Sequence, residues 1–264
     1  MRSITIEKIG FFHCIDFGNF GTPADAVAKL TIAIEKRILE GKESDPAWDV
    51  GNSLIVLPEA FNFRDYNSHG AAEPPGPFLA SLSELAGKHG LLFVTGLLDG
   101  RRNVAYLVDG SGAQLMCHKI GEDGTGFYDP YTGQPDPCNP ITFHNACVGA
   151  LICIDAADDD GTQPHIRKRL EGFLERLSAS QAKHKIVCVP ARFIHPRSYL
   201  EPFAKMEDGW YVVAQGKFTF GKGPSFVAEC GHNSNCPVNV DCSHVKIRAT
   251  DNQNQVKIWP LPMA

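Results

Sequence analysis

Three apolar runs in this sequence each end in a side chain able to do chemistry: LIVLPE at Glu59, AQLMCHK at Lys119 and VGALIC at Cys153. A thiol is largely protonated at neutral pH and needs a base or a neighbouring cation to act as a nucleophile. Glu59 is suited to take that proton. Lys119 is suited to stabilise the thiolate and the negative charge that develops on a tetrahedral intermediate. A buried Glu and Lys side by side hold each other ionised, where either alone tends to neutralise. Taken singly, each residue has a plainer reading: a strand leaving the core, or a buried Cys that only fills space. The chemistry therefore requires that three residues far apart in the chain meet.

The elements that must position them follow from pattern. Residues 3–15 read as a first strand, and AVAKLTIAIEKRIL has helical spacing with Ala26, Leu30, Ile34 and Ile38 on one face, Pro23 and Asp25 suiting its first turn. Residues 54–57 form a continuous apolar run, the mark of a strand buried on both faces. A helix is predicted at 78–88, then strands at 91–98, 103–110 and 113–119 separated by turns, and a Gly/Pro/Asp-rich loop at 121–140. Residues 141–155 come next, their apolar strand VGALIC ending at Cys153, followed by a helix near 164–182, a strand at 185–191, a short helix near 198–206 and a strand at 209–215. Further strands are expected at 224–229, 244–250 and 255–260, in a loop-rich segment from about 230. No repeat or linker marks a boundary, so residues 1–264 read as one α/β domain with its sheets covered by helices. In open α/β sheets ligands bind at the carboxyl ends of strands, where Glu59, Lys119 and Cys153 all stand.

Composition narrows the class. The 264 residues are 43% hydrophobic and 21% charged, which is ordinary for a soluble globular protein. A net charge of −5 gives no electrostatic reason to expect nucleic acid or an anionic membrane as partner. Nine cysteines, several inside apolar runs (Cys147, Cys153, Cys188), read as reduced thiols in a cytoplasmic protein. Glu7 and Lys8 interrupt the first fifteen residues, so no secretory apolar region is expected there, and no run is long enough to span a bilayer.

LIVLPEAF, MCHKI and GALICID together resemble the motifs of the nitrilase superfamily of carbon–nitrogen hydrolases, amidase-like branch, whose Glu–Lys–Cys triad falls in this order. KIVCVPA, GWYVVAQG and GKGPSFV are similar to later segments of that family, so the resemblance spans most of residues 3–230. It implies a four-layer α-β-β-α sandwich, no cofactor, and a homodimer or larger homo-oligomer. It also implies hydrolysis of an amide or N-carbamoyl compound through a thioester on Cys153, with the backbone N–H of Ile154 and Lys119 holding the oxyanion. The family often places a second Glu between the Lys and the Cys; here the matching segment is DPYTG, which makes Asp129 the candidate, with Glu122 behind it. Cys153-Ile154-Asp155 stands where nitrile specialists tend to carry Cys-Trp-Glu, which favours an amide over a nitrile.

Several signals rank lower. DDDGT at 158–162 matches the motif of haloacid-dehalogenase-like phosphatases, but Asp158 does not directly end its strand. GKFTFGKG (216–223) misses the P-loop pattern at Gly223. Cys230, His232, Cys236, Cys242 and His244 offer zinc ligands without a standard finger spacing. A non-catalytic binding protein of the same fold is the remaining alternative. Substrate lining is expected from loops 61–76 and 121–140 and from Arg192 to Tyr199, with Arg192 or Arg197 able to meet a carboxylate. His118 is expected on the strand face opposite Lys119.

Overall fold

A computed structural model describes residues 2–14, 22–62, 74–121, 129–133, 138–156, 163–191, 209–215, 225–230, 245–250 and 255–262. The first sheet is built from β1 (Lys8–His13), β2 (Ser53–Val56), β3 (Leu92–Asp99), β4 (Arg102–Asp109), β5 (Gly112–His118) and β12 (Gln255–Pro260). Its order is β12-β1-β2-β3-β4-β5. Strands β1, β2 and β3 run parallel, and β4 is antiparallel to both β3 and β5. The carboxyl ends of β2 and β5 therefore lie on one edge, together with the start of β4. The second sheet is built from β6 (Ile141–Thr142), β7 (Ala146–Ala150), β8 (His184–Ala191), β9 (Gly209–Gln215), β10 (Ser225–Cys230) and β11 (Val245–Thr250), in the order β11-β10-β9-β8-β7-β6. Its central strands β7, β8 and β9 are parallel.

Period-two alternation sorts the first sheet's side chains between two cores. Phe11, Leu54, Val56, Leu92 and Val94 join Val187, Val189, Tyr211 and Val213 of the second sheet. Phe12, Ile55, Leu57 and Phe93 pack instead with Ala26, Leu30 and Ile34 of α1 (Pro23–Ser44) and Phe78 and Leu82 of α2 (Pro75–His89). The sheets thus face one another, and α1 and α2 cover the outer face of the first. Helix α3 (Pro164–Ser178) lies against β7, where Gly149 makes room for the Phe173 ring; a Cβ there would come within 2.4 Å of it. This mixed α/β architecture of two helix-covered sheets agrees with the expected helix–sheet–sheet–helix order.

Boundaries differ in instructive ways. Helix α1 begins at Pro23, as the first-turn residues Pro23 and Asp25 predict, and Thr22 caps it by exchanging hydrogen bonds with Asp25 in a capping box. It also runs on to Ser44, where Gly41 accommodates the Trp48 ring. The strand expected to end at Cys153 stops earlier: Phe143 N–H bonds to the Ala146 carbonyl in a tight turn before it, and the chain leaves the sheet after Ala150 to enter a 3-10 turn, Cys153–Ala156. The short helix expected near 198–206 lies outside the described residues. No described helix is long and apolar enough to cross a membrane.

Candidate active site

Glu59 follows β2 and Lys119 follows β5, so the parallel relation of these strands brings two residues 60 positions apart to one edge. Lys119 Nζ donates to Glu59 Oε1 at 2.6 Å, with the two side chains 0% and 3% exposed. Asn103, at the start of β4, donates its Nδ2 to the same oxygen at 2.6 Å. Glu59 Oε2 is buried and has no hydrogen-bond partner among the described residues. A carboxylate oxygen left without donors in a buried site costs about 1–3 kcal/mol, and this one has room in its hydrogen bonding to accept a proton.

The close approach of the two sheets sets Glu59 in place. Its backbone N–H bonds to the Ala191 carbonyl at the end of β8, at 3.2 Å, and Phe61 N–H bonds to the Gly96 carbonyl. Gly96 is needed here: a Cβ would sit 3.2 Å from the Glu59 Cα and 3.1 Å from the Pro190 Cβ. Asn62 clasps the Leu98 backbone with two hydrogen bonds, fixing the chain beyond Glu59 to the end of β3.

Cys153 opens the 3-10 turn after β7 and is 8% exposed. Its φ is +48°, and Ala60, next to Glu59, has φ +51°. For non-glycine residues this left-handed region costs on the order of 1–3 kcal/mol and persists only where surrounding structure enforces it. Asp155, two residues on in the Cys153 turn, anchors that turn to its surroundings. Its Oδ1 accepts from Gly121 N–H at 2.7 Å, and its Oδ2 accepts from Ile120 N–H at 2.9 Å and from Arg169 Nη1 of α3 at 2.6 Å. Arg169 Nη2 also donates to the His118 carbonyl at 2.7 Å. A buried carboxylate and guanidinium thus join the Cys153 turn to the two residues that follow Lys119. Gly121 completes the contact, since a Cβ there would meet Ile154 at 2.6 Å and Ile166 at 2.7 Å. Burial pushes the Asp155 carboxyl above the usual carboxylate range, opposed chiefly by the charge of Arg169.

Asp129, the expected second acid, is exposed and forms a bidentate pair with Arg101, at 2.9 Å to Nε and 2.8 Å to Nη2. Those bonds hold its carboxyl below the usual range. Tyr131, two residues on in the same loop, donates its N–H to the Lys119 carbonyl and stacks on His118 with ring centroids 4.3 Å apart. His118 therefore turns to Tyr131 while Lys119 turns to Glu59. Glu122, the 158–162 motif, the 216–223 segment, Arg192, Arg197 and the residues 232–244 of the Cys/His cluster lie outside the described residues, as does the Cys230 side chain. Among the described residues no three His, Cys, Asp or Glu groups are placed to hold a metal ion.

Sequence reading missed Asn103 and the Asp155–Arg169 pair. Asn103 sits in RRNVAYLV with no local mark of function. Asp155 stood two residues from the cysteine, yet its partner lies 14 positions on in a helix, and only the fold joins them. The six described cysteines, Cys14, Cys117, Cys138, Cys147, Cys153 and Cys188, are thiols, not disulfides. Burial pushes the Cys188 thiol well up, and a hydrogen bond with Cys138 does the same for Cys117, so neither is a ready nucleophile.

No protein-family model matches the chain, and no curated protein does. Solved structures do. An amidase from Nesterenkonia sp. AN1, in a form whose active-site cysteine has added acrylamide, superposes with a TM-score of 0.63 at 15% identity, over 97% of this chain and 93% of that one. The same amidase is known with the acetamide moiety of fluoroacetamide on that cysteine, with a TM-score of 0.63 at 15% identity, covering 98% and 91%. Nit3 of Saccharomyces cerevisiae, a member of branch 10 of the nitrilase superfamily, gives 0.61 at 16% identity, covering 99% and 93%. The chain has the fold of these nitrilase-superfamily proteins along nearly its whole length.

Proposed function

We propose that this protein hydrolyses a non-peptide carbon–nitrogen bond, in an amide or N-carbamoyl compound, with Cys153 as nucleophile. The observation that carries the reading is the buried Glu59–Lys119 pair whose second carboxylate oxygen is left open. The left-handed Cys153 turn is tied by Asp155 to the residues just after Lys119. A mutant of the Nesterenkonia amidase, alike in fold, has been seen with acrylamide, and with the acetamide moiety of fluoroacetamide, covalently added at its active-site cysteine.

In this reading Glu59 takes the thiol proton through Oε2 and the sulfur attacks the carbonyl carbon. Lys119 and the Ile154 N–H stabilise the oxyanion. The C–N bond breaks as Glu59 returns the proton to the leaving nitrogen, which departs as ammonia or an amine. Glu59 then deprotonates water, which attacks the thioester; the C–S bond breaks, the acid leaves, and Cys153 regains its proton. No cofactor enters this cycle. Asp129 has its geometry directed to Arg101, so a role beside Lys119 requires its carboxylate to leave that partner. We further read residues 1–264 as one domain, forming a homodimer or larger assembly and working in the cytoplasm.

The test is an ammonia-release screen over simple amides, N-carbamoyl compounds and nitriles. Turnover of an amide or carbamoyl compound, absent in Cys153→Ser, is expected. Equal turnover by the variant, or none by the wild type, overturns the reading.

A further inference from the structure

We infer that Asn103 is a positioning residue that decides which oxygen of Glu59 moves protons. The inference rests on the function proposed above. Two donors, Lys119 Nζ and Asn103 Nδ2, converge on Oε1 at 2.6 Å each, while Oε2 has no partner among the described residues. The amide nitrogen must be the atom facing Glu59, because a carboxylate oxygen only accepts. Lys119 alone cannot pin the carboxylate. Its ammonium is a point charge on a flexible stem, and the terminal torsion of Glu is broad and roughly two-fold, so Oε1 and Oε2 would exchange. A short side chain on a paired strand supplies the fixed direction that the lysine lacks.

Asn103 also holds the lysine itself, since its carbonyl accepts the Lys119 N–H at 2.9 Å. One residue of β4 thus sets the backbone of the cation and the rotamer of the base. The other half of its amide argues the same way. Asn103 is 2% exposed, and its Oδ1 is buried with no hydrogen-bond partner among the described residues. An apolar residue of equal size would fold there without leaving that acceptor unpaired. The donated hydrogen bond to Glu59 is what the asparagine contributes.

The experiment is a double-mutant cycle with Asn103→Leu and Glu59→Gln. It is read by kcat, by KM and by the rate at which iodoacetamide alkylates Cys153, with thermal unfolding as a check. Asn103→Leu is expected to lower kcat and the alkylation rate roughly 10²-fold, as for a misplaced catalytic group, with KM unchanged. In the Glu59→Gln background the same substitution should cost little more, because the carboxylate it orients is already gone. An equal fold-loss in both backgrounds marks a merely structural residue and overturns the inference. So does a raised KM with kcat retained, which would put Asn103 on the substrate. Should Asn103→Leu not fold, Asn103→Ala carries the same cycle. If the wild type releases no more ammonia than Cys153→Ser, the proposed function falls and this inference with it. If the wild type is active and the Asn103 variants keep its kcat, only the inference falls.

Discussion

Two buried carboxylate–cation pairs lie at the same end of the molecule, each closed at 2.6 Å, and they differ in what is left over. Asp155 has both oxygens bonded, by two backbone N–H groups and by Arg169. Glu59 has both of its donors on one oxygen and none on the other. A buried carboxylate with both oxygens bonded, one of them to a cation, is a structural joint, and breaking it leaves an uncompensated charge. A pair with an open oxygen carries an unpaired acceptor, which a protein retains where that acceptor has work to do. Two carboxylate–cation pairs at the same depth are therefore told apart by whether the carboxylate has an oxygen left open.

The largest effect expected from this contrast is on rate. Glu59→Gln keeps the shape of the side chain but removes the proton acceptor, and should lower kcat about 10²–10⁴-fold, measured by ammonia release. Retention of kcat would put Glu59 in the structural class with Asp155. Next comes stability. Arg169→Met strands the Asp155 carboxylate and should destabilise by about 3–5 kcal/mol in denaturant titration; a loss no larger than a surface substitution would refute the joint.

Replacing each pair by apolar residues sharpens the difference. Asp155→Leu with Arg169→Met orphans the Ile120 and Gly121 N–H groups and the His118 carbonyl, whereas Glu59→Leu with Lys119→Met strands the Asn103 amide. At about 1–3 kcal/mol for each orphaned group, the first replacement should be the more destabilising by thermal or chemical unfolding. A smaller effect acts through α3, the helix that carries Arg169. Gly149→Ala would force a Cβ toward the Phe173 ring and should cost about 1–3 kcal/mol by overpacking; no shift in the unfolding midpoint would show that α3 can give way. The smallest belongs to the exposed pair. Asp129→Asn should leave both the unfolding midpoint and kcat at wild-type values, since its carboxylate faces Arg101. A marked fall in kcat would return Asp129 to the site as the second acid.

Much of this arrangement is written locally. Apolar runs such as LIVL and KIVCVPA carry the mark of buried strands, and the spacing of Ala26, Leu30 and Ile34 that of one helix face, so those elements were readable within a few residues. Errors came where tertiary contact overrode pattern. Residues 141–155 look continuous in hydrophobicity, but the turn at Phe143 and the left-handed Cys153 break them, and neither has a local signature. Likewise the polar Gly41–Ser44 stretch is helical because Gly41 packs against Trp48.

The chain's order of types determined which groups were available: a carboxylate, an ammonium and a thiol, each at the end of an apolar run. It did not determine which atoms of those groups would be bonded and which left open, because hydrogen bonding depends on approach and direction in space. That was decided by strands β2, β4 and β5 meeting at one edge, which put Asn103 on Glu59, and by α3 swinging Arg169 onto Asp155.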